Sequence, residues 1–267
     1  QVNQNGGYTG KTPKKFYEEL IKISKKKKFK RKNLYLGGDH LGPLPWKSLN
    51  SKIAIKNSII MIKDYLKKNF CKIHIDTSIK CSNDKFINNE IIFDRSKIIL
   101  SDKIIRKKIN KLFLVIGTEV PLSGSNSSKK IVKTSYNQIL GEIKKFKENL
   151  QLMKSKNKMF ALVIEPGMKY LHTSIISPKF SNFKKRKKLS LTEKFVFEAH
   201  STDYQSLNVL KLLVKNNFKF LKVGPELTYN FSRSLFFMQR IEEVFFKKNK
   251  SDLKKTILSS MLKNKKY

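Results

Sequence analysis

Six short apolar runs punctuate the chain, at residues 33–38, 71–78, 113–120, 160–167, 195–201 and 220–225, and each ends in small or polar residues. None alternates cleanly between apolar and polar positions. Strands of a parallel sheet buried on both faces have that character. The segments between them carry helical spacing. Thr12-Pro13 reads as an N-cap followed by proline at the first helical position, after which Phe16, Leu20 and Ile23 mark one face. Ile53, Ile60 and Leu66 fall in a second amphipathic stretch, and Ile139, Ile143, Phe146 and Leu150 in a third. Asp203 is expected to cap a helix carrying Leu207, Leu210 and Val214. Leu227 to Phe246 predicts a long helix and Leu253 to Leu262 a last one.

This order of strand and helix predicts an α/β fold with right-handed crossovers. A doubly wound open sheet would gather its chemistry at one switch point. A TIM (β/α)8 barrel spreads it over the C-terminal ends of many strands. Polar residues follow nearly every apolar run, which favours the barrel. Six units do not close eight strands, so the first two strands are expected upstream of Gln1, with residues 1–10 as the loop after the second. The expected domain is a single barrel over 1–267, incomplete at its N-terminus. An incomplete barrel exposes unpaired strand edges, so this stretch is not expected to fold alone.

Composition changes the picture little. The formal net charge is +38, which suggests nucleic acid at first sight. The lysines are spread through every helix, however, and Lys, Asn, Ile and Phe are enriched together, as A/T-rich codons would make them. A field that draws in anionic small molecules is the other use of such charge. Cys71 and Cys81 cannot build a disulfide framework, and a reducing cytoplasm is the expected compartment. No apolar run approaches the roughly 18 residues of a membrane span.

The candidate chemistry lies at the ends of the runs. All four histidines, His40, His74, His172 and His200, stand there. Gly37-Gly38-Asp39-His40-Leu41-Gly42-Pro43 places a carboxylate and an imidazole on a glycine-rich turn, where Asp39 either moves a proton or caps the next helix. In Lys72-Ile73-His74-Ile75-Asp76, alternation puts Lys72, His74 and Asp76 on one face, with Lys72 and Asp76 expected to pair across His74. Glu119 and Glu165 follow two further runs. Glu198 and His200 point the same way on another. Lys222 ends the last, as an internal ion pair or, if desolvated, a Schiff-base lysine. Arg233, early in the long helix, could hold an anionic group. No dinucleotide fingerprint, Walker loop or catalytic-triad pattern is present.

Together these blocks resemble a known family. Gln1 to Gly10 with Thr12-Pro13, Gly37 to Pro43 with Trp46, Lys72 to Asp76, Ile116 to Pro121, Pro166-Gly167, His172, Glu198 to Gln205 and Lys222 to Pro225 are similar to the non-catalytic, Z-type subunit of class II D-tagatose-1,6-bisphosphate aldolase. That family serves galactitol and N-acetylgalactosamine breakdown, and its proteins are longer at both ends than this chain. The resemblance implies a TIM barrel that supports a separate catalytic class II aldolase subunit. That partner cleaves a phosphorylated ketose, tagatose 1,6-bisphosphate, to dihydroxyacetone phosphate and glyceraldehyde 3-phosphate. By analogy with class II aldolases, His40, His172 and His200 would hold a divalent metal, zinc by preference. Asp39 would carry the proton with Glu119 nearby. His74, Asp76, Lys222 and Arg233 would face the substrate. The chain departs from the family at Leu171, Glu165 and Leu44-Pro45. The competing reading is a metal-dependent sugar-phosphate aldolase or ketose epimerase active in its own right.

Overall fold

The computed structural model describes residues 2–117, 133–152, 160–171, 173–246 and 250–263. Its centre is a parallel sheet of six strands in the order β1-β2-β3-β4-β7-β8. These are β1 (Gly37–Leu41), β2 (Lys72–Ile75), β3 (Phe113–Ile116), β4 (Phe160–Val163), β7 (Val196–Ala199) and β8 (Phe218–Leu221). Between β4 and β7 lies a two-stranded antiparallel ribbon, β5 (Lys169–Tyr170) and β6 (Ile175–Ile176). The expected first strand thus begins later than its apolar run and the last begins earlier. The small residues Gly37-Gly38 do the hydrogen bonding at β1, and Phe218 replaces Val223 at β8.

The helices are α1 (Pro13–Lys26), α2 (Ser51–Lys67), α3 (Asn89–Ser101), α4 (Lys103–Lys108), α5 (Tyr136–Leu152), α6 (Phe183–Thr192), α7 (Leu207–Lys215), α8 (Pro225–Phe245) and α9 (Leu253–Lys263). Thr12 caps α1 through the Lys15 amide, with Pro13 at the first position, as the sequence predicts. α3, α4 and α6 were not foreseen. Half of α6 is Lys or Arg, and it buries only Phe183, Arg186, Leu189 and Ser190. α3 and α4 begin at side-chain caps, Asn88 and Asp102, that the apolar spacing does not reveal.

The expectation for Asp203 needs correction. α7 is capped by Ser206. Buried Asp203 instead accepts from the amides of Gly224 and Glu226, at 2.9 and 3.0 Å, and so holds the start of the next helix, α8.

The sheet has two apolar faces. Toward the helices, Ile73, Leu114, Ile116, Phe160, Leu162 and Phe197 pack with Ile62, Leu66, Ile99, Ile143 and Leu213. On the inner face, Val115, Ala161 and Val163 pack with Phe113, Val196 and Phe220. Phe113 and Phe220 meet edge to face, with ring centroids 4.7 Å apart, although β4 and β7 lie between their strands. Only a curled sheet brings those faces together. The outermost strands give a sharper measure. β1 and β8 stand five spacings apart, about 24 Å in a flat sheet, yet Lys222, just past β8, lies 2.8 Å from His40 of β1. The sheet is therefore rolled into an open barrel around its C-terminal ends. Among the described residues, no helix is long and apolar enough to cross a membrane. α8 buries none of its residues fully, and Phe231, Phe237, Val244 and Phe245 are exposed along it.

Candidate functional site

The rolled sheet gathers Asp39, His40, His74, Asp76, Glu198, His200, Lys72 and Lys222 into one cluster at the strand ends. Its first peculiarity is that Asp39 and His40 are neighbours in sequence yet both join it. In a regular strand they would point to opposite faces. The register explains the exception: Gly38 pairs with Ile73 and Leu41 with Ile75, so β1 holds one residue more than β2 over that interval. This is a β-bulge, with His40 in the left-handed region at φ 50°. Gly42 follows immediately. A Cβ there would stand 1.6 Å from the Asp76 carbonyl oxygen, so only glycine lets the two strand ends approach this closely.

The imidazole–carboxylate contacts are specific. His40 Nδ1 lies 2.8 Å from Asp76 Oδ2, His74 Nδ1 2.9 Å from Asp39 Oδ1, and His200 Nε2 3.1 Å from Glu198 Oε1. The ring centroids of His40 lie 4.7 Å from His74 and 5.5 Å from His200. Lys222 ion-pairs with Asp39, and its Nζ also reaches His40 Nε2 at 2.8 Å. An ammonium only donates, so His40 Nε2 accepts from Lys222 and Nδ1 carries its proton toward Asp76. Lys72 does not pair with Asp76 as the alternation suggested. Its ammonium pairs with Glu198 across the lumen at 2.7 Å and lies over the Phe220 ring. Asp76 is taken by His40 and by the amide and hydroxyl of Ser78, at 3.0 and 2.6 Å.

These contacts set the charges. Burial disfavours the Asp39 anion, but the His74 hydrogen bond and the nearby Lys222 charge outweigh it and hold the carboxyl far below the usual range. Burial likewise opposes ionisation of Asp76 and is overcome by His40 and Ser78. Glu198 is carried down to about 2: burial is outweighed by the His200 hydrogen bond and Lys72. All three carboxylates are therefore anionic at neutral pH. Burial, with Lys222 and His74 nearby, lowers the His200 pKa against the pull of Glu198, keeping that imidazole neutral.

Of the other expected site residues, His172 and Glu119 lie outside the described residues. Arg233 is not brought to the cluster. Its guanidinium stacks over Tyr229 and Phe237 on α8, in a groove that α9 borders through Lys254. Glu165 is half-buried, and burial raises its pKa to about 7 against the pull of Lys169. Sequence reasoning missed the bulge, Ser78 and the close approach at Gly42. The glycines flanking Asp39-His40 were the one visible sign.

Residues 1–267 match the family model for D-tagatose-1,6-bisphosphate aldolase subunit GatZ/KbaZ-like proteins. The chain belongs to the GatZ/KbaZ-like family. It is 34% identical over 281 aligned positions to D-tagatose-1,6-bisphosphate aldolase subunit GatZ of Escherichia coli O1:K1 / APEC, covering 100% of this chain and 66% of that protein. The GatZ of Escherichia coli O139:H28 (strain E24377A / ETEC) is 33% identical with the same coverage. This GatZ/KbaZ-like chain therefore spans slightly less than two thirds of the curated relatives it matches. A crystal structure described as a "probable tagatose 6 phosphate kinase" from Sinorhizobium meliloti 1021 is similar with a TM-score of 0.85 and 28% identity, over 100% of this chain and 67% of that one.

Proposed function

We propose that this chain forms part of a non-catalytic class II D-tagatose-1,6-bisphosphate aldolase subunit, which supports the activity and stability of a separate catalytic subunit. The observation that carries this reading is the family match over residues 1–267. The intact subunit is a closed eight-stranded barrel in this reading. Two further strands would close the sheet between β1 and β8. A reducing, cytoplasmic compartment fits the two free thiols, Cys71 and Cys81, and the family resemblance points to galactitol breakdown.

The cluster would then face a phosphorylated ketose at the barrel mouth. Lys222, one-third exposed, would meet the phosphate or a ketose oxygen. Asp39 would accept a proton, with His74 and Asp76 orienting substrate hydroxyls and Arg233 holding an anion further out. The donors suit a divalent ion in kind: one ring nitrogen each from His40, His74 and His200 lie within 4.8 Å of one another. His40 and His200 would hold that ion, zinc by ligand type, with His172 as the third ligand that the family resemblance implies. The ion would polarise a ketose carbonyl.

Retention of three paired imidazoles favours a second reading, an aldolase or ketose epimerase active alone. The deciding experiment assays the full-length protein with tagatose 1,6-bisphosphate, alone and with a catalytic class II aldolase subunit. The expected result is no cleavage alone, and a raised rate and melting temperature of the partner on mixing. Cleavage by the protein alone that is lost in His40→Ala would overturn the supporting role.

A further inference from the structure

Each histidine in the cluster has one ring nitrogen held by its own carboxylate: His40 by Asp76, His74 by Asp39 and His200 by Glu198. A carboxylate on one nitrogen fixes the tautomer and turns the other nitrogen's lone pair outward, as in carboxylate–histidine–metal arrangements. His74 is fully buried, and its Nε2 has no hydrogen-bond partner among the described residues. Such an atom is costly unless something occupies it. The His40 lone pair, by contrast, is engaged by the Lys222 ammonium.

We propose that His40, His74 and His200 form a divalent-cation site for which Lys222 is a built-in competitor, so that a zinc ion enters only by displacing its ammonium from His40. His74 thereby becomes a ligand that the family resemblance did not assign.

Charge and reach both favour exchange rather than coexistence. Among the described residues, Asp39, Asp76 and Glu198 bring three negative charges to the cluster, and Lys72 and Lys222 bring two positive ones. A divalent ion added beside Lys222 would leave a positive excess and two cations on one imidazole. A divalent ion in place of Lys222 would balance the three carboxylates. The Lys222 side chain is 34% exposed and its stem is flexible, so the ammonium can swing into solvent without unpacking the core.

The test needs no aldolase activity, so it stands whether or not the subunit reading holds. Chelator-treated, dialysed protein is titrated with cobalt(II), read by its visible d–d absorption, and with zinc against a chromophoric chelator. Lys222→Met removes the ammonium and keeps the stem. It should bind either ion about tenfold more tightly or better, since the ion no longer breaks a charge-assisted hydrogen bond. Lys222→Gln serves as a second variant should the first fail to fold. In the unaltered protein, saturating zinc should increase acylation of Lys222, measured by mass spectrometry. Equal affinity with and without the ammonium, no binding by any variant, or zinc that leaves Lys222 labelling unchanged would each overturn the proposal.

Discussion

Glu142 offers a quantitative test of the packing between the sheet and its helices. It lies on α5 beside a small cavity, about 30 Å³, bordered by Ile75, Ile92, Phe93, Ile116 and Phe146. Burial alone raises its pKa from the ordinary 4.5 to about 7. Below the unfolded value both states are protonated and the group is neutral with respect to stability. As pH rises through the interval, the unfolded chain ionises first and the folded state loses ground. Above about 7 the loss is complete, and linkage sets it at about 3 kcal/mol. Glu142→Gln removes the titration while keeping the shape. Urea unfolding followed by circular dichroism should show the variant more stable than the native protein by up to about 3 kcal/mol at about pH 8, with the advantage shrinking toward about pH 5. Glu165 titrates over the same range, so only the difference between the two proteins isolates Glu142. A difference that stays constant across that range would refute the reasoning.

Gly42→Ala should be severe, because its Cβ would meet the Asp76 backbone at 1.6 Å. A loss of about 3 kcal/mol or more is expected by thermal unfolding, and unchanged stability would mean that the two strand ends do not approach as described. Asp203→Ala removes both acceptor contacts at the start of α8 and should cost about 1–2 kcal/mol. Hydrogen exchange should locate the loosening at Gly224 and Glu226, not at the start of α7.

Much of this architecture is legible in the residues, and the losses have physical causes. The apolar runs reveal the strands because burial on two faces removes polar positions. Thr12-Pro13 reveals α1 because capping chemistry is local. α6 hides because its own buried apolar positions are so few, Phe183 and Leu189, that they set no helical period among the basic residues. The strand-end histidines are visible as a set, but their pairing is not. Lys72 reaches Glu198 rather than Asp76 because partner choice depends on how far the sheet curls, and no local pattern encodes that. Asp203 illustrates the same limit: the capping residue was right and the helix was wrong.

The contact between Lys222 and His40 joins residues 182 positions apart, one on the first strand of the sheet and one just past the last. Nothing short of the full roll can make it. The cluster is therefore a gauge of closure: its imidazole resonances should appear together, and late, as the chain folds, since contacts of such separation follow the local ones. Any change in the helical layer that lets the sheet open by a few ångströms would be felt there first, far from where it was made.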